Sequence, residues 1–159
     1  MNDKEFEEKY KLYSKLLYSI IYGYVLNKDD SDDILQDVFI KYINLKKKFK
    51  DLDSEKYYLV RMTINLCKDY YIKNVKLIHI ENDIVDENNN MYVLRKIITT
   101  LPPKYKEIII LHYYNSFDIK TISNILHISN EAVRKRLERA KDKIKEGLGD
   151  DYEIRWWIK

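Results

Sequence analysis

The chain has 159 residues, 45% hydrophobic and 35% charged, with a net charge of +3 at pH 7. That length holds one domain or two small ones, and the charge density, with no apolar run of bilayer-spanning length and no apolar leader, excludes membrane insertion and points to the cytoplasm. A single cysteine, Cys67, permits no internal disulfide, and the scattered His79, His112 and His127 offer no metal-ligand spacing, so no metal or other cofactor is implied.

Three glycines, two prolines and few strand-like alternations leave long helix-compatible segments, and the chain reads as all-α. From residue 2 to about 25, Asn2 and Glu5 form a candidate capping box ahead of Phe6, Tyr10, Tyr13, Leu16, Leu17, Ile20 and Tyr24 at helical spacing. Asn27 to Asp30 break that helix. Ile34, Leu35, Val38, Phe39, Tyr42 and Ile43 then form a second apolar stripe, opposite Asp32, Asp33, Gln36 and Asp37. The helix dipole accounts for acids in the first turn. It accounts less well for Gln36 and Asp37, which suit a partner surface.

Lys46 to Lys48 and the polar run from Lys50 to Ser54 form a basic loop, and Ser54 is the expected cap of a third helix with Leu59, Met62, Leu66 and Tyr70 inside. Arg61, Asn65 and Lys68 lie on another face, with Tyr57 and Tyr58 at the entrance. From residues alone this is either a solvated face or a surface that holds phosphates and stacks an unpaired base. From about Asn74 to Asn90 the chain turns polar and mildly acidic, which reads as a flexible linker between two small helical domains. A helix is expected over 91–100, and Pro103 suits the first position of the next, which runs through Tyr105, Ile108, Ile109, Leu111, His112 and Tyr113.

The stretch from Asp118 to Gly147 reads as two helices joined by a tight corner at His127, Ile128 and Ser129. Ile119, Ile122, Ile125 and Leu126 precede the corner, and Val133, Leu137, Ala140 and Ile144 follow it. Ser129 caps the second helix, whose outer face carries Glu131, Lys135, Glu138 and Arg139, with Arg134 on the flank. That is the layout of a helix-turn-helix offering basic side chains to a major groove. An ordinary solvated hairpin would show mixed charge, as Glu138 and Asp142 do. Residues 102–146, however, hold ten Lys and Arg against six Asp and Glu, a net +4, so the positive balance is concentrated here.

Together these segments resemble the extracytoplasmic-function sigma factors of the sigma-70 family. Residues 29–43, DDSDDILQDVFIKYI, are similar to their core-binding segment, and residues 58–73, YLVRMTINLCKDYYIK, to their promoter-melting helix. Residues 101–148 are similar to their C-terminal helix-turn-helix domain throughout, and the order and spacing agree.

The resemblance implies a region 2 domain over 1–74, a linker over 75–90 that runs through the polymerase cleft, a region 4 domain over 91–147 and a tail over 148–159. It implies a non-enzymatic factor that binds core RNA polymerase and promoter DNA, with an anti-sigma factor as a further partner. Asp33, Gln36 and Asp37 would meet the polymerase clamp. Lys50, Lys56, Tyr57, Tyr58, Arg61, Asn65 and Lys68 would handle the minus-10 element, and Arg134, Lys135, Glu138 and Arg139 the minus-35 element. Catalysis would belong to the polymerase, since the chain has no phosphate-cradling glycine loop. A sigma-like regulator acting without polymerase, or a decoy that binds polymerase or an anti-sigma factor, would share much of this sequence. Three positions depart from the family pattern: His127 stands for the glycine of the turn, Ser123 for alanine and Tyr58 for tryptophan.

Overall fold

A computed structural model describes residues 1–74 and 90–148, and all regular structure among them is helical. Helix α1 (Asp3–Val25) opens on the expected capping box: Glu5 N–H donates to Asn2 Oδ1 at 2.8 Å, and Asn2 N–H donates to Glu5 Oε2 at 3.3 Å. Leu26 ends it in the left-handed region at φ 51°, and Asn27 caps α2 (Lys28–Ile43) by accepting from Asp30 N–H at 3.0 Å. Tyr13, Leu17, Ile20 and Tyr24 of α1 face Ile34, Leu35, Val38, Phe39 and Tyr42 of α2 in the core, while Ile43 stays exposed.

The third helix, α3 (Leu52–Asn74), corrects two expectations. Ser54 is not its cap; its own N–H donates to Asp51 Oδ1 at 2.7 Å, so the helix starts earlier than the sequence suggested. Several polar residues in this run can cap, and Asp51 stands three residues before a free N–H, where its carboxylate also suits the positive helix end. The inward face is centred on Leu59, Val60, Ile64 and Cys67, with Met62, Leu66 and Tyr70 half-buried at its border. The cause is that α3 packs on α1 on one side and on the second half of the chain on another, so its apolar face is wider than one stripe. Glu55, also inward, accepts from Lys9 Nζ at 2.7 Å, from Tyr13 OH at 3.1 Å and from Tyr42 OH, which pins α3 to both α1 and α2.

The second half comprises α4 (Asn90–Thr100), α5 (Pro103–Ile109), α6 (Ile119–Leu126) and α7 (Asn130–Leu148). Pro103 opens α5 as expected, but the helix does not continue as α through Tyr113: Ile110–Tyr114 form a π-helical turn. Asn115 closes that wider turn by donating from Nδ2 to the Ile110 carbonyl at 2.9 Å. Asp118 caps α6 through Thr121 N–H at 2.7 Å, and Ser129 caps α7 through Ala132 N–H at 3.0 Å.

The second half docks on the first. The π-helical turn lies on α1 and α6 lies on α3, so that one apolar cluster runs through both. No helix among the described residues is long and apolar enough to cross a membrane. The linker read over 75–90 falls, apart from residue 90, outside the described residues, as do Trp156 and Trp157 of the tail.

Candidate nucleic-acid interface

The corner between α6 and α7 is built on His127, whose φ of 55° is left-handed. A glycine would meet no Cβ penalty there; the histidine is held because its N–H donates to Ser123 O and Ser123 Oγ donates to Ile128 O. Behind the corner, Ile122, Ile125, Val133, Leu137, Ala140 and Ile144 are buried, which turns Arg134, Lys135, Glu138 and Arg139 outward to solvent. The structure thus brings all four expected residues onto one exposed face. Lys135 pairs with Glu131 at 3.3 Å, a surface contact that a phosphate can displace at little cost. Arg136, next in sequence, turns the other way and lies 3.5 Å from Glu107.

The second candidate surface is the α2–α3 side. A groove of about 630 Å³ is lined by Asn44 and Leu45 at the end of α2 and by Tyr58, Arg61, Asn65 and Asp69 of α3. Beside it, the Phe49 and Tyr58 rings lie 5.3 Å apart, with Lys47 Nζ 4.5 Å from the Tyr58 ring centre. Lys47 was missed as a site residue, because a run of three lysines gives no sign of which one an aromatic ring will hold. A second groove, of about 420 Å³, joins Lys50, Tyr57, Tyr58 and Arg61 to Asn124 and His127 of the helix-turn-helix. Lys56 and Lys68 are not in either groove. They reach the second half of the chain, Lys56 5.5 Å from the Phe117 ring centre and Lys68 2.6 Å from Glu107 Oε2.

On α2 the expected acids lie beside apolar side chains, of which Phe6, Tyr10, Phe39 and Ile43 were expected in the apolar stripes and Ile40 was not. Asp32, Asp33 and Gln36 rim a groove of about 440 Å³ floored by Phe6, Tyr10, Phe39, Ile40 and Ile43, of which Tyr10, Ile40 and Ile43 are exposed. Asp37 is exposed nearby. This is an interface composition: an apolar centre with a charged rim. At the other edge Tyr70 has its hydroxyl pushed up to about 12, first by burial and then by its hydrogen bond to Asp30.

Residues 10–76 match the family model for sigma-70 region 2, and residues 92–144 match that for sigma-70 region 4. The chain is 25% identical over 152 residues to the ECF RNA polymerase sigma factor SigM of Bacillus subtilis, covering 87% of this chain and 92% of SigM. It is 23% identical over 167 residues to SigW of the same organism, covering 87% and 86% of the two chains. Among solved structures, CnrH bound to the cytosolic domain of CnrY superposes with a TM-score of 0.72 at 19% identity, over 95% of this chain and 92% of that one. The sigma factor RpoE of Bartonella quintana, bound to the anti-sigma factor NepR, gives 0.69 at 18% identity over 94% and 99%. At those identities the likeness concerns the fold.

Proposed function

The chain belongs to the sigma-70 family, and from that premise we propose that it is an alternative, extracytoplasmic-function-type sigma factor that binds core RNA polymerase and directs it to a particular set of promoters. Two separate nucleic-acid surfaces on one chain carry this reading: the exposed α7 face and the groove around Tyr58, Arg61 and Asn65. A regulator that only reads duplex DNA needs the first and not the second.

In this reading α7 lies in the major groove of the minus-35 element, where Arg134, Lys135, Glu138 and Arg139 meet base edges and phosphates. The α3 groove receives a base of the melted minus-10 strand. Stacking of a base on an aromatic side chain is worth about 1–3 kcal/mol and is available only to an unpaired base, so it favours the open strand over the duplex. Lys47 and Lys50 hold the adjoining phosphates, and Lys56 and Lys68 extend that charge along α3. Asp33, Gln36 and Asp37, with Tyr10, Ile40 and Ile43, bind core polymerase, the acids setting orientation and the apolar floor supplying affinity. The chain works in the cytoplasm, positions DNA, and leaves the chemistry to the polymerase. Residues 75–90 connect the two surfaces through the polymerase cleft. One solved relative was captured with an anti-sigma factor, and a protein of that class is the inhibitor we infer.

Run-off transcription with core polymerase on fragments of the host genome, starting with the region upstream of this gene, tests the proposal. Specific transcripts that need this chain are expected, together with weak binding of the chain alone to duplex DNA, because its second half carries only +4 between residues 102 and 146. Nanomolar duplex binding without polymerase would favour a lone regulator. Core binding without transcripts would favour a decoy.

A further inference from the structure

Helix α7 packs along one flank against α5. Tyr105 of α5 is buried in that junction, 6% exposed, while its neighbour Lys104 and Arg139 and Lys143 of α7 are exposed. The three cations converge on the phenol: Lys104 Nζ lies 4.9 Å and Lys143 Nζ 5.6 Å from the Tyr105 ring centre, and Lys104 and Arg139 both reach its hydroxyl. Burial raises the pKa of that phenol, but the approach of Lys104 and Arg139 outweighs it and holds the group below its ordinary value. Among the described residues none of the three cations forms an ion pair, whereas Lys135 and Arg136 of the same helix each face a glutamate. Three positive charges gathered at one neutral oxygen repel one another, and a single anion between them reverses the balance.

Position decides which anion. A helix lying in a major groove turns its outward midline to the base edges and its flanks to the phosphates of the groove walls. Lys135 and Glu138 stand on the midline of α7. Arg139 and Lys143, one turn apart, stand on the flank that adjoins α5, and Lys104 extends that flank beyond α7 itself. We propose that Lys104, Arg139 and Lys143 clamp one backbone phosphate at the edge of the minus-35 groove, with Tyr105 as a positioning residue whose hydroxyl draws Arg139 to that edge. Arg139 then anchors the duplex, and Lys135 and Glu138 read it. This rests on reading α7 as the minus-35 helix.

The test uses the chain assembled with core polymerase and a fluorescein-labelled duplex of one minus-35-dependent promoter found by run-off transcription, read by anisotropy at stepped salt. A methylphosphonate placed at each minus-35 phosphate in turn removes one charge and leaves the bases unchanged. One position is expected to weaken native binding about tenfold, the size of a single hydrogen bond to a charged group. Arg139→Ala should weaken all sequences alike, lower the salt slope by about one and lose its sensitivity to that one methylphosphonate. Arg139→Lys, a point charge that a phosphate still accepts, should recover most of the loss. Tyr105→Phe keeps the ring in its packing, and should shrink the penalty of that methylphosphonate while leaving the others as they were; a hydroxyl with a merely structural role would move none of them. Lys135→Ala should instead relax discrimination against base-substituted minus-35 elements. If Arg139→Ala relaxes discrimination at one base pair and keeps its sensitivity to every methylphosphonate, Arg139 reads a base and the proposal is overturned. Weaker binding by Arg139→Ala with no methylphosphonate effect in the native protein means that a free anion occupies the cluster, which overturns it too. If Lys135→Ala, Glu138→Ala and Arg139→Ala all bind the duplex as the native chain does, α7 is not the minus-35 helix, and the clamp fails with that reading.

Discussion

Glu55 and Glu107 are both buried carboxylates, 6% and 2% exposed, and both face a lysine from another helix, yet they hold their charge on different terms. Burial raises the pKa of Glu55, but hydrogen bonds from Lys9, Tyr42 and Tyr13 together outweigh it and hold the carboxyl below its usual range. For Glu107 burial is again the largest influence, and Lys68 and Arg136 do not overcome it, so the carboxyl sits above its usual range. Lys68 Nζ approaches Glu107 Oε2 to 2.6 Å, a contact that lowers the carboxyl's pKa without overcoming its burial. Two phenols and an ammonium arranged around Glu55 replace its hydration; two flexible cations beside Glu107 do not. The first site fastens one module internally, and the second is a charge carried at a cost where two modules meet. The tyrosines show the same asymmetry: Tyr13 and Tyr42, both raised chiefly by burial, donate to Glu55, while Tyr24 at the seam is raised by burial and donates to nothing.

Breaking each site should separate them. Glu55→Ala leaves the buried Tyr13 and Tyr42 hydroxyls without their acceptor and is expected to cost about 2–5 kcal/mol of unfolding free energy in urea titrations followed by circular dichroism. Glu107→Ala should cost about 1 kcal/mol or less, because Lys68 and Arg136 keep 30% and 31% of their side chains exposed and can turn to water. Equal losses would show that the seam is as firmly built as the module interior.

The pH dependence sharpens the contrast, and the signs are opposite. A carboxyl whose folded pKa is lowered stabilises the fold above its unfolded value of about 4.3, and that contribution is lost as pH falls through the folded value. The advantage of the native chain over Glu55→Gln should therefore hold at neutral pH and shrink below about pH 4. A carboxyl whose folded pKa is raised contributes fully below about 4.3 and loses that contribution as pH rises through the folded value. Glu107→Gln should therefore be the more stable of its pair at pH 7, with the difference closing as pH falls towards 4. Thermal melts at stepped pH measure both, and a Glu107 pair that tracks the Glu55 pair would remove the distinction.

Much of this chain could be read from its residues. Capping at Asn2, the break at Asn27, Pro103 at a helix start and the Val133 to Ile144 stripe are local signals, and local backbone chemistry decided them. The left-handed corner could be anticipated at His127 because it stands where the resembled family carries glycine, the residue that takes a left-handed φ without penalty. Three features could not be read. The inward face of α3 was displaced because three neighbours, not one, share that helix. The π-helical turn arises where Asn115 supplies a hydrogen bond to Ile110, and no periodicity marks a single widened turn. Lys106 and Glu107 read as surface residues by type, since charged residues are almost never fully buried unless another element meets them. On the candidate site, residue types located Tyr58, Arg61, Asn65 and the α7 face, while the stacking of Lys47 and the withdrawal of Lys56 and Lys68 depended on tertiary placement.

The smallest effect on stability is expected on α7, where Lys135 and Arg136 are sequence neighbours on opposite sides of the comparison. Lys135 is exposed and pairs with Glu131, and Arg139, one turn on, is also exposed and reaches the Tyr105 hydroxyl; Arg136 is half-buried and drawn to Glu107. Lys135→Ala with Arg139→Ala removes a surface pair worth about 0.5 kcal/mol or less and places a good helix former at both positions, so the melting curve should be nearly unchanged. Its effect should fall on DNA instead. A lost base-edge contact costs about 1–3 kcal/mol, and a lost phosphate contact weakens all sequences alike. Transcription by the reconstituted polymerase should therefore drop on promoters that need the minus-35 element, while core binding is retained. Arg136→Ala is the matched control: it touches the seam and should leave minus-35 dependence as it was. If the double variant transcribes such promoters normally while folded and core-bound, α7 does not read the DNA. If Arg136→Ala reproduces its promoter defect, the division of α7 into a reading face and a seam face is wrong.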